Sequence, residues 1–253
     1  MWIAVGCLLA YTLASGVVGV RLLQRARRSR GVPELLVGLT YLCAPGLGYP
    51  LGIVSDQIPN RAVALPMNVA GEVLLVVGLG CYLLFTARVF RPDAAWATWA
   101  ARLGALALVW VGVATESAVV RYPDPEEAFA HSQAPLATLL VVLLASFGWT
   151  ALEALRYWRM YRRRMALGLG EAAVCNRFLL WALNGFVSVA WLSACLALFA
   201  AGGNPGTHPL GIAVASAGGL GNTVLLLLIF MPPAAYTRWL ERNAAGSSAV
   251  APV

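Results

Sequence analysis

The chain has 253 residues, of which 60% are hydrophobic and only 11% are charged, and its mean hydropathy is +0.75. Soluble domains carry about 25% charged residues, so this composition excludes an ordinary soluble fold, a disordered chain and a nucleic-acid-binding module built on a charged surface. The net charge is +7, and every basic residue is arginine. The absence of lysine also excludes retinal held as a Schiff base. The composition therefore indicates a polytopic membrane protein.

Seven apolar stretches are long enough to cross a bilayer core, which takes roughly 20 helical residues. The first stretch begins without the positive charge that precedes the apolar core of a signal peptide, so we interpret it as a retained span. The prediction is an all-α bundle of seven transmembrane helices. The stretches are span 1 (2–23), span 2 (34–55), span 3 (62–88), span 4 (98–118), span 5 (135–158), span 6 (177–201) and span 7 (209–231).

The arginines predict the orientation of the bundle, because basic residues stay on the cytoplasmic side of the membrane. With the N-terminus outside and the C-terminus cytoplasmic, every arginine except Arg61 and Arg121 falls in an inside segment. The predicted organisation is a transmembrane domain over 1–233. A short cytoplasmic amphipathic segment and a disordered tail follow over 234–253, the tail beginning at Gly246.

The pattern of spans is consistent with an internal duplication. Spans 1 and 5 are each followed by an arginine-rich inside turn. Spans 3 and 7 each carry a glycine–polar step in mid-membrane, Gly71-Glu72 and Gly221-Asn222. These features fit a 3+1+3 parallel repeat with span 4 as the linker. A seven-helix bundle without any duplication gives the same loop charges, so both interpretations stay open.

Glu72 is the sharpest candidate for a functional residue, because ionisable groups inside a membrane are costly and usually functional. Asn68 lies one turn earlier in span 3 and therefore on the same helical face. A carboxyl group at this depth pairs with another group, is protonated or faces a cavity. The functional interpretation is a group that binds a proton or a cation. The structural alternative is a neutral acid that hydrogen-bonds a neighbouring helix.

Further ligand contacts are expected from spans 2, 6 and 7. Pro45 and Pro50 interrupt span 2 and predict a kink or an unwound turn, and broken helices often border ligand sites. A merely bent helix, and plain packing of span 7 through its glycines, are the alternatives. The candidate ligand-binding residues are Tyr41, Tyr49, Asn68, Glu72, Asn184, Asn222 and Thr223.

The inner segment at residues 156–164 mixes aromatic side chains with arginine and lies where a helix meets the membrane surface. Anionic lipid headgroups are the expected partner, and a protein partner is the second choice. Nucleic acid is not expected, although such a mixture can bind it elsewhere. Glu153 is expected to pair with the first of these arginines along the helix. The arginines of the segment are Arg156, Arg159, Arg162, Arg163 and Arg164.

No catalytic arrangement is visible in the sequence. The two histidines lie in outside connections, and the chain has no CxxC pair, nucleotide-binding glycine loop or Ser/His/Asp set. We therefore expect no enzyme activity, no cofactor and no metal. A membrane enzyme that acts on lipid is a further alternative, and it would need carboxylates clustered near an interface. The acidic residues of the outer connection are interpreted as solvated loop charge. These are Glu116, Asp124, Glu126 and Glu127.

The topology resembles that of seven-helix receptors and microbial rhodopsins, as architecture only. Residues 176–181, together with Pro232-Pro233 and the aromatic–arginine segment at 236–240, resemble uncharacterised seven-helix membrane proteins of high-GC bacteria. The resemblance covers the last third of the chain and implies no activity or site. We accordingly expect an integral protein of a bacterial inner membrane.

The leading functional expectation is a non-catalytic, receptor-like sensor. A small apolar or amphipathic ligand would bind in a cavity among spans 2, 3, 6 and 7, and the inner basic segments would transmit its presence to a partner. One alternative is a small-molecule, proton-coupled or cation-coupled transporter or channel built on the repeat. Another is a structural subunit of a larger membrane complex or homo-oligomer, docked through Ser15/Gly19 and Ala215/Gly219.

Overall fold

The computed structural model describes residues 2–248, which form helices joined by short connections, with no strand among them. Seven helical stretches in this part of the chain are long and apolar enough to cross a membrane, which confirms the predicted seven-helix membrane topology. The helices are α1 (Trp2–Ser29), α2 (Val32–Tyr41), α3 (Tyr49–Ser55), α4 (Arg61–Phe90), α5 (Ala95–Arg121), α6 (Pro125–His131), α7 (Gln133–Ala166), α8 (Ala172–Ala200), α9 (Pro209–Phe230) and α10 (Ala234–Ser248). Span 1 is α1, span 2 runs from α2 to α3, and spans 3 to 7 are α4, α5, α7, α8 and α9.

The connections between spans alternate between two ends of the bundle. The end that holds the connections at 30–31, 91–94 and 167–171, together with α10, is called here the arginine-rich end. The connections at 56–60 and 201–208, and the one that contains α6, lie at the opposite end. The alternation follows from helices that each cross the full thickness of the bundle.

Helix α7 extends well beyond the predicted limits of span 5. Its 34 residues correspond to a length of about 50 Å, against a hydrocarbon core of about 30 Å. The segment at 156–164, expected as an inside turn, is therefore the helical continuation of span 5. All five arginines of this end of α7 are exposed, which suits a helix that projects into water.

Six of the seven spans form a closed ring, and span 4 lies outside it. Spans 1, 2, 3, 5, 6 and 7 contact one another in that order, and span 7 closes the ring against span 1. Span 4 packs on the outer side, against spans 3 and 5. The main hydrophobic core receives side chains from all six ring spans and none from span 4, which has a smaller core of its own around Leu83 and Leu108.

Span 2 is interrupted as its two prolines predict, and the interruption takes the form of a π-helix. The π-helix, Leu42–Gly48, joins α2 to α3 and contains Pro45, which cannot donate a backbone hydrogen bond. Glycines in the π-helix allow its backbone to lie close to that of span 3. A Cβ atom on Gly48 would lie 2.8 Å from the carbonyl oxygen of Gly71, so the glycine of the Gly71-Glu72 step is a packing residue.

The small-residue face of span 1 is occupied inside the protein. A Cβ atom on Gly19 would lie 2.7 Å from the backbone nitrogen of Leu42 in span 2, and Ser15 is fully buried. The predicted docking pair Ser15/Gly19 is therefore not available to another protein.

Helix α10 is longer than the amphipathic segment expected at the C-terminus. It continues to Ser248, so residues 246–248 of the predicted disordered tail are helical. The rest of that tail, residues 249–253, lies outside the described residues. Asn176 Nδ2 of α8 donates a 2.9 Å hydrogen bond to the hydroxyl of Tyr236, which ties α10 to the arginine-rich end.

Candidate functional site

A groove of about 820 Å³ runs between spans 3 and 4 and is almost entirely apolar. Valines of both helices form its walls, and several of them are exposed on the outside of the bundle, such as Val113 at 63%. The groove therefore opens sideways, where lipid surrounds a membrane protein. Its lining consists of Val69, Glu72, Val73, Val76, Val77, Val109, Gly112, Val113, Glu116, Ser117, Val120 and Arg121.

Two acidic residues line this groove, Glu72 from span 3 and Glu116 from span 4. Glu72 is half-buried and points at Gly112 of span 4, where an added Cβ atom would lie 3.2 Å from Glu72 Oε1. Glu116 follows Gly112 by one helical turn and lines the same groove. Its Oε2 atom is buried and has no hydrogen-bond partner among the described residues. The absence of a side chain at Gly112 thus leaves room for the acidic pair.

The acidic pair lies in the half of the bundle next to the opposite end. At about 1.5 Å per residue, Glu72 is about 17 Å from the start of α4, and Glu116 is about 8 Å from the end of α5. Arg121 lines the groove beyond Glu116, at the end of the helix. The polar groups of the groove therefore change from basic at the membrane surface to acidic in the interior, and the deeper part is lined by valine alone.

Arg61 fastens the two helices at the mouth of the groove. Its Nη2 atom donates hydrogen bonds to the carbonyl oxygens of Val119, at 2.8 Å, and Val120, at 2.9 Å. These carbonyls lie in the last turn of α5 and have no partners within the helix. The contact keeps the start of α4 against the end of α5 and so fixes the spacing of the groove walls.

The structure separates the ligand-binding residues that the sequence suggested. Asn68 approaches Gly52 of span 2, at 3.9 Å from an added Cβ atom, whereas Glu72 one turn later faces span 4. Asn222 Nδ2 donates a 3.0 Å hydrogen bond to Ser188 Oγ where spans 6 and 7 pack. The expected cavity among spans 2, 3, 6 and 7 is thus divided: Glu72 belongs to the groove, and Asn222 belongs to the interface of spans 6 and 7.

The other predicted contacts serve the packing of the bundle or lie on its surface. Tyr41 is buried edge-on against Phe230, with ring centroids 5.9 Å apart. Tyr49 is 47% exposed. Asn184 is buried in span 6, and Thr223 donates a hydrogen bond to a backbone carbonyl of its own helix. None of these four lines the groove.

Glu116 is the site residue that the sequence interpretation missed. Its assignment to solvated loop charge is wrong, because Glu116 lies within α5, lines the groove and has a buried Oε2 atom. The signal was the apolar run Ala118-Val119-Val120 after it, which extends the span by one more turn. Asp124, by contrast, caps the short helix α6, with a carboxylate oxygen accepting a hydrogen bond from the backbone nitrogen of Glu127.

A group of polar contacts, called here the polar seam, joins spans 3 and 5 near the arginine-rich end. Glu153 is almost fully buried, and its Oε1 accepts a 2.7 Å charge-assisted hydrogen bond from Arg91 Nε. The expected partner, Arg156, is farther away, at 3.9 Å from Oε2. One turn deeper, the hydroxyls of Thr86 and Thr150 are 2.7 Å apart. Span 3 therefore connects the groove to this seam.

The basic segment at 156–164 is exposed at the end of α7. Arg162 lies over the ring of Trp158, at 5.0 Å, and Arg164 over that of Tyr161, at 5.5 Å. Arg159 and Arg163 are exposed. Cation–π contacts hold two of the guanidinium groups close to the helix, which keeps the positive charge compact at this end.

Comparisons with known proteins add nothing to this description of the site. No family model matches the chain, and no similar protein was found among curated proteins or solved structures. Within residues 2–248, no three histidine, cysteine, aspartate or glutamate side chains are grouped as metal ligands. What the chain shares with the seven-helix proteins that it resembles is accordingly a topology of seven apolar membrane-spanning helices.

Proposed function

We propose that the protein is a receptor-like sensor that binds a small amphipathic molecule in the groove between spans 3 and 4. The observation that carries the proposal is the acidic pair, Glu72 and Glu116, within valine walls that open toward lipid. Ligand pockets are typically apolar cavities of about 300–1,000 Å³ with a few placed polar groups, and the groove has this character.

The acidic pair defines the chemistry of the ligand. Carboxylates accept hydrogen bonds, and an apolar surrounding strengthens their attraction for a positive charge. The buried Oε2 of Glu116 lacks a donor among the described residues. A ligand with an amine, or with several hydrogen-bond donors, would supply it, and an alkyl or ring body would cover the valines.

The proposed setting is a bacterial inner membrane, with the arginine-rich end in the cytoplasm and the N-terminus outside. The separation of the arginines supports this orientation. The groove then lies in the outer half of the bilayer, and a ligand enters it laterally from lipid. The neighbours of each span also support the 3+1+3 repeat, because the span 1–span 7 contact corresponds to the span 3–span 5 contact and span 4 lies outside the ring.

We propose that span 3 carries the signal to the cytoplasmic side. A ligand between spans 3 and 4 acts on α4, whose inner end is joined to span 5 by the Thr86–Thr150 and Arg91–Glu153 contacts. Span 5 continues as the basic end of α7. A shift of α4 would thus move a compact positive surface that anionic headgroups or a protein partner can contact.

The test uses dodecylamine as the probe and dodecanol as its uncharged counterpart, with the protein in phosphatidylcholine nanodiscs. Dodecylamine is expected to bind more tightly than dodecanol, and Glu72→Gln or Glu116→Gln should weaken it by about tenfold or more, because hydrogen bonds to charged groups contribute about 1.5–3 kcal/mol. Glu126→Gln, in the exposed α6, is the matched control and should leave binding unchanged. Equal binding of the two probes, or equal loss in all three variants, would contradict the proposal.

A second candidate function is a proton-coupled or cation-coupled transporter, which the acidic pair and the repeat-like order of helices favour. In this case Glu72 and Glu116 would exchange a proton for a cation during each cycle. The two functions are distinguished by the internal pH of proteoliposomes, measured with an enclosed pH-sensitive dye. Transport is supported if a gradient of added amine or sodium changes the internal pH with the wild-type protein and fails to do so with Glu72→Gln. Binding of the amine without any change of internal pH supports the sensor.

A further inference from the structure

A second cavity lies at the other end of the bundle, beside α1 and the end of α9. It has a volume of about 390 Å³. Its floor is apolar and its rim is basic, which is the reverse of the acidic groove between spans 3 and 4. The lining residues are Val18, Arg21, Leu22, Gln24, Arg25, Arg28, Phe230 and Met231.

Three guanidinium groups converge on this cavity from one face of α1. Arg21, Arg25 and Arg28 are separated by four and three residues, which places them one above another along the helix. Among the side chains that the structure describes, none of the three has a carboxylate within salt-bridge distance. The positive charge of the cavity is therefore left for a group from outside the chain.

The side chains that line the cavity indicate which kind of anion would bind there. Guanidinium groups bind phosphate through pairs of parallel hydrogen bonds, and Gln24 adds an amide donor. The apolar floor of Val18, Leu22 and Phe230 continues toward the membrane-spanning part of the bundle. Hydrocarbon attached to the phosphate would lie along this floor, beside α9.

We propose that this cavity is a binding site for a phosphate group, carried by an anionic phospholipid or by a small soluble phosphate. The site is independent of the groove between spans 3 and 4. It also differs from the basic end of α7, because its arginines border a cavity beside α9, whereas those of α7 project from the exposed end of a helix. Anionic lipid at this position would fix α1 and α9 where they close the ring.

The test measures the binding of dioleoyl phosphatidylglycerol and dioleoyl phosphatidylcholine by native mass spectrometry of the protein released from nonionic detergent. Phosphatidylglycerol should bind at least tenfold more tightly. Arg21→Gln, Arg25→Gln and Arg28→Gln should each weaken it by about fivefold, the contribution of one arginine near a phosphate surface. Arg27→Gln removes the same charge from another face of α1 and should change binding by less than twofold.

Two further arms separate the alternatives. Gln24→Trp removes the amide donor and brings a large ring to the cavity without changing the charge, so it should weaken the binding of phosphatidylglycerol as much as an arginine variant does. Competition by millimolar inorganic phosphate or glycerol 3-phosphate would identify a soluble phosphate as the ligand, and lack of competition would identify the lipid. Equal effects of Arg27→Gln and Arg25→Gln, or no preference for the anionic lipid, would overturn the proposal. Variants that lower the melting temperature without altering lipid binding would do the same, since the arginines would then only neutralise the C-terminal carbonyls of α1.

Discussion

Replacing Arg91 by glutamine tests the ion pair that Arg91 forms with the buried carboxylate of Glu153. The carboxylate of Glu153 is only 8% exposed and accepts a 2.7 Å hydrogen bond from Arg91 Nε. Arg91→Gln removes the positive charge and leaves a buried carboxylate with Arg156 alone, 3.9 Å away and largely in solvent. The free energy of unfolding should therefore fall.

The expected loss is about 2 kcal/mol. Breaking a fully buried ion pair by removing one partner costs about 3–5 kcal/mol, and a hydrogen bond to a charged group contributes about 1.5–3 kcal/mol. Because the side chain of Arg91 is 30% exposed, water enters the site and lowers the cost toward the second range. Glu153→Gln should cost less, about 1 kcal/mol, since the neutral amide leaves no unpaired buried charge.

Denaturation with dodecyl sulfate in mixed micelles, followed by circular dichroism, measures these free energies of unfolding. Arg88→Gln is the matched control, because it removes an exposed arginine from the same end of α4 and should change stability by less than about 0.5 kcal/mol. The double variant Arg91→Gln/Glu153→Gln should be more stable than the sum of the single losses implies. Additive losses, or an Arg91→Gln effect no larger than that of Arg88→Gln, would refute the assignment of a coupled buried pair.

Two more predictions concern helix packing in the same assay. Gly78→Ala should destabilise the protein by about 1–3 kcal/mol through overpacking, because the new Cβ would lie 2.6 Å from the backbone nitrogen of Ala44, whereas Gly80→Ala meets nothing within 4 Å and should be neutral or stabilising; similar losses in both would show that the close approach of spans 2 and 3 is misjudged. Thr86→Val should cost about 0.6 kcal/mol, the average for hydrogen bonds between membrane helices, and the loss should disappear in a Thr150→Val background; an undiminished loss there would exclude the hydroxyl contact as its cause.

The sequence interpretation placed Glu72 correctly inside a span but could not say which neighbour it faces. Membrane helices are apolar around their whole circumference, so hydropathy does not distinguish the face in contact with protein from the face in contact with lipid. From the sequence, Glu72 is expected to share one ligand site with the asparagines of spans 6 and 7. The structure directs it to span 4 instead, because Gly71 packs against span 2 and turns the next side chain toward Gly112.

The acidic pair and the Arg91–Glu153 contact could not be predicted from the sequence, for a related reason. Each joins side chains of different helices that are far apart in the chain, and neither has a spacing signal. Within one helix, the i, i+3 rule suggested Arg156 for Glu153, yet the nearer partner comes from the end of α4. The partners became visible only when the helices were packed.

By itself, the sequence determined the number of spans, their approximate limits, the break in span 2 and the collection of arginines in alternate connections. These are local properties: the length of an apolar run must match the bilayer, proline removes a backbone donor, and charge stays out of hydrocarbon. The tertiary structure alone decided that span 4 lies outside the ring, that Glu116 joins Glu72 in a groove open to lipid, and that three arginines of α1 border a cavity with α9. Those features depend on how glycines and side chains of separate helices fit together, and packing between helices has no period along a single chain.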